Sequence, residues 1–499
     1  MIRNTEQFQH NTYDLLVIGG GINGASIAHL AACRGMKVAL VEKGDFASGT
    51  SSKSTKLIHG GIRYLENLEF DLVYESLRER SIQLQTAPHL VKPLEFVIPV
   101  YQGDRRPLWM MRLGVFLYDR LAGKYRIQRH KKLSVQEVCN LEPGINPQGL
   151  KGGVMYYDAQ MDDARLCLEN VLSAAEYGAH VANYVEVLSF IKENGRAVGV
   201  KAHDLLGDES FEIRARKIIC AAGPWTNELL RIDHPYAKKK VRTTKGIHIV
   251  YKGKITQHAL LITSKSDKRI FFVIPWMGNS LIGTTDTNYI GDPDDVRVEP
   301  ADVDYLIAEA KRIFPGLDFG PDKIVATFAG LRPLTRKGGS PTKVSRKHLF
   351  HKSVSGIVFV VGGKYTTYRK IAEDCLDKIA KAAYRPPFRL YGGGTIRENP
   401  HVVAEHYGLE VPVIRELMEK YGTRYQDVLK LVESDPHGHE KLSEDPPVMM
   451  AQVVYSVKVE MARTVQDVVE RRLGLCYCPA VPEKCFKTID EYIQRISEE

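Results

Sequence analysis

Apolar residues gather in short runs along this chain. Residues 15–19, 218–223 and 357–362 are unbroken apolar stretches, and each ends in glycine. A membrane-spanning helix needs ~18–20 such residues. Runs this short, stopped by Gly, read instead as buried strands of a parallel sheet. Around the first run the pattern predicts a strand over 13–18, a tight glycine turn over 19–24, a helix of small residues over 25–34 and a second strand over 37–41. Together they make a complete βαβ unit.

Helical periodicity returns over 68–86, over 163–177 behind Asp162, and over 301–314 and 367–382. Strands are predicted over 91–100, 247–251, 270–275, 280–284, 343–350 and 357–361. Apolar and polar residues alternate over 181–190, 197–203, 210–213 and 217–220, with turn dipeptides at Asn194-Gly195 and Gly207-Asp208. That alternation predicts a small antiparallel sheet. Residues 45–66, rich in Ser, Thr, Gly and Lys, predict a loop. Beyond the turn-rich stretch 385–394 the pattern is helical, over 411–421, 425–433 and 448–472.

The glycine turn carries chemistry. Gly19, Gly21 and Gly24 fit G-x-G-x-x-G between a strand and a helix, with Asn23 inside the turn. The first glycine permits the tight turn, the second lets a pyrophosphate approach, and the third packs helix on strand. The helix N-terminus adds its positive end. Glu42, at the end of the next strand, is placed to accept ribose hydroxyls, which also argues against a 2′-phosphate. FAD and NAD share this fingerprint. A simple NAD dehydrogenase would continue with further βαβ units. Here a hydroxyl-rich loop, 48–64, follows, and antiparallel strands interrupt the sheet until 220–225 returns to it. Near the end, 361–367 runs from strand into helix, a second helix N-terminus suited to the electron-rich edge of a flavin ring. Candidate cofactor residues are Gly19, Gly21, Asn23, Gly24, Glu42, Thr50, Ser51, Lys56, Leu57, Gly223, Trp225, Gly330, Gly363, Lys364 and Thr366.

The expected fold is α/β, with a Rossmann-like FAD-binding domain interleaved with an antiparallel-sheet substrate domain. Expected ranges are about 11–85, 140–225 and 320–387 for the first and about 86–139 and 226–319 for the second. A C-terminal all-helical domain is expected over 388–499.

The stretches 16–25, 51–66, 157–168, 221–225, 272–276, 283–286, 330–333 and 362–370 resemble those of FAD-dependent glycerol-3-phosphate dehydrogenases, within the D-amino-acid-oxidase-like flavoprotein superfamily. Glu460 to Thr464, Asp467, Arg471 and Arg472 extend the likeness to about residue 475. The resemblance implies FAD as cofactor and Arg63, Tyr64, Arg332 and Lys364 as substrate-side residues. It also implies a membrane-associated enzyme passing electrons to quinone. Members that reduce dioxygen carry an extra insert, and the length here is that of the shorter dehydrogenase type. A phosphate dianion needs cations, and Arg63, Arg332 and Lys364 each lie in a Gly-rich or strand-end motif. His59 and His248 are the candidate bases for the hydroxyl proton as hydride leaves the neighbouring carbon, with water or Lys364 as the alternatives. The alternatives are a glycerol-3-phosphate oxidase, another FAD-dependent amine or hydroxy-acid oxidoreductase, and a non-enzymatic flavoprotein-fold binding protein.

Composition changes the picture in two places. Among 499 residues, 69 Lys and Arg face 60 Asp and Glu, a net +9. Residues 104–132 hold nine basic residues against two acidic, a local excess of seven, around an apolar segment with Trp109. That is the pattern of an interfacial helix, so a peripheral site on the inner face of the cell membrane is expected, in a cytoplasmic protein. No nucleic-acid motif accompanies the patch, so nucleic acid is not an expected partner. Eight cysteines in a chain of this length make no disulfide framework, and a reducing compartment is the simplest reading. The spacing of Cys476, Cys478 and Cys485 is not that of a metal site, and no metal is expected. The polar residues 1–12 contain no secretory apolar core.

Overall fold

A computed structural model of the chain describes residues 1, 3–335, 348–379 and 387–498. A six-stranded sheet forms its centre, in the order Leu349–Lys352, Val358–Val361, Ile218–Cys220, Leu15–Ile18, Val38–Val41, His180–Ala182. Neighbours run parallel except the edge strand 349–352, which is antiparallel to 358–361. Strands 15–18, 38–41, 218–220 and 358–361 are buried at every residue. That is what a sheet covered on both faces requires. Leu15, Val17 and Leu40 pack on the helices Ile22–Cys33, Asp163–Glu176 and Tyr368–Ile379. Leu16, Ile18 and Val41 point the other way, onto a four-stranded sheet of Thr12–Tyr13, Glu209–Ala215, Arg196–Asp204 and Val185–Glu193. Asp162 caps the 163–176 helix, its side chain accepting from Arg165 N at 3.1 Å.

Several sequence expectations are corrected here. Residues 217–220 do not join the antiparallel sheet. Ile218, Ile219 and Cys220 pair with Leu16, Val17 and Ile18 in the parallel one, because this triplet has no polar position to turn toward water. Residues 181–182 also pair in the parallel sheet, with 40–41. The predicted loop 45–66 contains 3-10 turns at Thr50–Ser52 and Ile62–Asn67 and a two-residue strand, Leu57–Ile58, paired with Gln160 and Ala159. Residues 343–347 of one predicted strand, 380–382 of one predicted helix and 385–386 of the turn-rich stretch lie outside the described residues.

A second sheet has ten strands. Val91–Tyr101 lies antiparallel to Leu150–Met161, and Val241–Tyr251 to Ile324–Thr335. Strands 150–161 and 324–335 are expected from sequence on the FAD-domain side of the interleave. Both strands join this ten-stranded sheet, where each finds a full-length antiparallel partner. Helices Phe70–Thr86 and Leu108–Ala122 cover one face, around Leu77, Phe96, Ile98 and Tyr118. Helix Pro300–Ile313 covers the other.

Residues 387–498 form helices around two small cores, with one two-stranded hairpin, Lys441–Glu444 and Pro447–Met449. The helix expected over 448–472 is broken into Met450–Lys458 and a π-helical turn, Asp467–Arg472. Met461 takes a positive φ, and Asp467 restarts the helix by accepting from Arg463 N at 2.8 Å and Thr464 N at 3.0 Å. The break turns Glu460, Arg471 and Arg472 inward. Arg471 Nε and Arg472 Nη1 each donate to Asp45 Oδ2 at 2.7 Å, and Arg165 Nη1 donates to Glu460 Oε1 at 2.6 Å.

His29 gives this core a pH dependence. It is fully buried on the 22–33 helix beside Asn170, at 3.3 Å. Burial pushes its imidazole down from 6.5 to about 4. Below pH 6.5 the unfolded chain takes up a proton that the folded protein refuses until about pH 4, so stability falls as pH falls through that window. The expected slope from this residue is about 1.4 kcal/mol per pH unit. Denaturant unfolding at pH 7 and pH 5 should show that share of the slope removed in His29→Gln. Equal slopes in the two proteins refute it.

Candidate functional site

The C-terminal ends of the parallel strands and the adjoining edge of the ten-stranded sheet enclose a cavity of about 610 Å³. Such strand ends are where open α/β sheets bind ligands. One end is lined by Gly19, Gly21, Asn23 and Glu42, the other by Arg63, His248, Arg332 and Lys364.

The first end is built for a dinucleotide. Gly19 has φ +108°, and a Cβ there would stand 2.8 Å from the Ala221 carbonyl oxygen. A Cβ on Gly24 would stand 1.9 Å from the Gly19 carbonyl oxygen. Gly24 therefore serves helix–strand packing and does not line the cavity. At Gly21 the nearest atom to a Cβ is Ser51 Oγ, at 3.1 Å, so this glycine leaves the cavity side open. Ser51 Oγ accepts from Ile22 N at 2.9 Å, tying the hydroxyl-rich loop to the helix start. Glu42 accepts from Gly20 N at 2.6 Å and from Gly44 N at 2.9 Å, which fixes its carboxylate beside the cavity. Lys43 Nζ lies 4.8 Å over the Trp225 ring, and Trp225 Nε1 donates to Asp294 at 2.9 Å. Space free of side chains at Gly19–Gly21, a fixed carboxylate and a helix N-terminus are the features that an adenosine diphosphate moiety needs.

Thr50, Ser51, Leu57, Gly223, Trp225, Gly330, Gly363 and Thr366 also line the cavity. Lys56 does not. Its ammonium is buried, donating to Asp163 at 2.6 Å and to the Ser52 carbonyl at 2.7 Å, so its side chain holds the loop together from behind. Its neighbour Lys53 takes the cavity position and pairs with Glu470 of the C-terminal domain. Thr50 Oγ1 donates to the Leu331 carbonyl at 2.7 Å, joining this loop to the strand that carries Arg332.

All six candidate catalytic residues line the other end. The guanidinium of Arg332 donates to Thr284 Oγ1 at 2.8 Å, to Asp286 at 3.2 Å and to the Thr285 carbonyl at 3.2 Å. It lies over Gly246, where a Cβ would stand 2.3 Å from Nη2. The ring of His248 stacks on Phe328 at 4.9 Å and occupies space that Gly283 leaves, since a Cβ there would be 2.3 Å away. His248 Nε2 is 3.0 Å from Thr55 Oγ1. Burial, then Arg332 and Lys56, push its pKa well below 6.5, so the imidazole is neutral at pH 7. Lys364 Nζ donates to Ser76 Oγ at 2.9 Å and sits 4.0 Å over the Tyr64 ring. Arg63 lies 5.3 Å from the same ring. The main chain of His59 is clasped by Thr366, whose Oγ1 accepts from His59 N at 3.1 Å.

Sequence reasoning misses Asp286, Thr284, Thr55 and Lys53, all of which line the cavity. An arginine at a buried strand end needs a carboxylate partner, and Asp286, just after the 280–284 strand, was the available signal. Thr55 and Lys53 lay inside the recognised loop but had no spacing to single them out.

The family described as FAD dependent oxidoreductase matches residues 14–369. The family described as the C-terminal domain of alpha-glycerophosphate oxidase matches residues 387–496. The chain is 39 % identical to a glycerol-3-phosphate dehydrogenase of Synechocystis sp., over 98 % of this chain and 97 % of that one. It is 36 % identical to an aerobic glycerol-3-phosphate dehydrogenase of Staphylococcus epidermidis, over 95 % of this chain and 88 % of that one. The crystal structure of the Bacillus halodurans glycerol-3-phosphate dehydrogenase complexed with FAD superposes with a TM-score of 0.78, at 31 % identity, covering 98 % and 95 % of the two chains.

The 1.9 Å approach at Gly24 yields a direct expectation. Gly24→Val forces the helix away from the Gly19 turn, and the protein should purify without the visible absorbance of bound flavin. A yellow Gly24→Val protein with wild-type flavin content would refute this role.

Proposed function

Within the family of FAD-dependent glycerol-3-phosphate dehydrogenases and oxidases, to which this chain belongs, we propose that it oxidises sn-glycerol 3-phosphate to dihydroxyacetone phosphate and passes the electrons to a quinone. The observation that carries this reading is that Arg63, Arg332, Lys364 and a neutral His248 line the same cavity as the dinucleotide cradle. FAD held in that cradle supplies the hydride acceptor. Arg332, already oriented by Asp286 and Thr284, presents a fixed fork to the phosphate, and Lys364 adds a point charge. Holding the cations in place before substrate arrives removes reorganisation from the reaction step. His248 stays unprotonated near neutral pH and so has a lone pair to take the hydroxyl proton. His59 is the second candidate base, lining the same end.

Two features support the acceptor and its location. A smaller apolar chamber of about 200 Å³ shares Ile62 and Arg63 with the main cavity and is walled by Ile98, Met110, Leu113 and Leu261. It suits a flat apolar acceptor such as a quinone ring. Met110 and Leu113 belong to the 108–122 helix, whose outer face exposes Trp109 (64 %), Leu113 and Phe116 within the basic segment 104–132. No described helix is long and apolar enough to cross a membrane. This helix has the charge and the apolar face to rest on the anionic inner surface of one. The oxidase alternative rests on the description of the C-terminal family.

Anaerobic addition of glycerol 3-phosphate should bleach the flavin, and a quinone should restore its colour faster than air does. Faster recovery in air makes the protein an oxidase. Arg332→Ala should lower kcat/KM about a hundredfold or more. Unchanged KM and turnover would remove Arg332 from the substrate clamp.

The protein should float with vesicles containing anionic phospholipid. Neutralising Arg105, Arg106, Arg129 and Lys131 together with Trp109→Ser should abolish flotation. Undiminished flotation ends the membrane reading.

A further inference from the structure

Beneath the substrate end of the cavity lies a polar cluster that the mechanism above does not use. Arg80, Tyr118 and Asp158 are each 1 % exposed. They come from three elements, the 70–86 helix, the 108–122 helix and the 150–161 strand. Arg80 Nη1 donates to Asp158 Oδ1 at 2.6 Å and to the Tyr157 carbonyl at 2.8 Å, and Nη2 donates to the Tyr125 carbonyl at 3.0 Å. The Tyr118 hydroxyl donates to the same Asp158 oxygen at 2.7 Å. Both oxygens then accept one backbone N–H, that of Gly60, at 2.8 Å from Tyr118 Oη and 3.2 Å from Asp158 Oδ1. A Cβ on Gly60 would stand 2.3 Å from Tyr118 Oη, so only glycine allows this approach.

Gly60 sits between two working parts. His59 precedes it. Gly61, at φ +76°, follows and opens the 3-10 turn that carries Arg63 and Tyr64. A buried Arg–Asp pair is weak as a source of stability, because apolar residues of similar volume often serve as well. This one also leaves Asp158 Oδ2 without a hydrogen-bond partner. What the cluster supplies that an apolar core could not is a fixed acceptor for one amide. Burial and the Asp158 carboxylate keep the Tyr118 hydroxyl protonated far above the ordinary tyrosine range, so it remains a donor to Asp158.

We propose that Tyr118, oriented by the Asp158–Arg80 pair, is a positioning residue of the reaction, which fixes the Gly60 amide and through it the placement of His59 and Arg63 at the cavity. The same hydroxyl joins the turn to the 108–122 helix, which also packs on it through Met111, so a shift of that helix would be felt at the turn. The inference rests on the substrate reading of this cavity end.

The test is Tyr118→Phe in the full-length holoenzyme, which removes one oxygen and keeps the ring. Turnover with glycerol 3-phosphate should fall about tenfold, a fraction of what a 1 Å misplacement can cost. KM should rise, while flavin content stays at the wild-type value and the melting temperature falls by at most about a few degrees. Amide exchange read by mass spectrometry should quicken in the peptide 57–66 and not in 15–41. Asp158→Asn, which keeps the side-chain shape, should move both readouts in the same direction. Wild-type kinetics in Tyr118→Phe overturns the proposal. So does loss of activity that tracks loss of flavin or of fold in both variants, since the cluster would then be structural only. If glycerol 3-phosphate does not bleach the wild-type flavin, the substrate reading fails instead, and the exchange measurement still decides whether Tyr118 holds the turn.

Discussion

Asp45 is the point on which the two parts of this molecule hang. It follows the second strand of the nucleotide fold by a few residues, and it is fully enclosed. Its two oxygens accept from Arg471 and from both terminal nitrogens of Arg472, and Asn183 adds a further donor at 3.1 Å. Burial alone would raise its pKa, but Arg472 and Arg471 overcome this and hold the carboxyl below its usual range. Removing one member of such a set strands a charge away from water, at about 3–5 kcal/mol. That is a large part of the ~5–15 kcal/mol by which a typical domain is stable. The C-terminal domain is therefore no appendage. Lys53, in the loop beside the cavity, is paired to Glu470 on the same π-helical turn, so the cofactor loop takes its shape from both domains.

The same economy runs through the cavity. Lys53, Lys56 and Arg332 come with carboxylates, from Glu470, Asp163 and Asp286. Lys364 is instead held by Ser76 and the Tyr64 ring. Each partner fixes a long side chain that would otherwise lose rotamer freedom on meeting an anion. The field of these cations also bears on His248. Burial lowers its pKa first and the charges of Arg332 and Lys56 add to that, so the imidazole is neutral although it stands among cations.

What the sequence made legible was local. The glycines at 19, 21 and 24 act within one turn, and Glu42 within one βαβ unit, so spacing alone placed them. Arg63, Arg332 and Lys364 were legible because each follows a glycine or closes a strand. What stayed hidden was long-range. Asp45 and Arg471 lie 426 positions apart, and no periodicity links them. Residues 217–220 look like one more alternating strand until the partner strands 15–18 and 358–361 are known. The break in the 448–472 pattern was invisible because Asp45, the buried carboxylate that Arg471 and Arg472 share, lies in another segment. Lys56 illustrates the same limit. Its place in a hydroxyl-rich loop pointed to the cofactor, but Asp163, a hundred residues on, claims it.

The 108–122 helix is the hardest case for a sequence and the most informative for the structure. Met111, Val115, Tyr118 and Ala122 form one stripe at helical spacing, and all are buried. Trp109, Leu113 and Phe116 form a second stripe, and all are exposed. A helix apolar on both faces is normally covered on both. Here the fold covers only one, and the segment 104–132 that carries the helix holds nine arginines and lysines. The inner stripe includes one hydroxyl, that of Tyr118, which reaches the backbone of Gly60 beside the cavity. One element thus has an uncovered apolar face toward the outside and a polar contact toward the chemistry. Packing on the ten-stranded sheet accounts for Met111, Val115 and Tyr118 and leaves the exposure of Trp109, Leu113 and Phe116 unaccounted for by the fold itself.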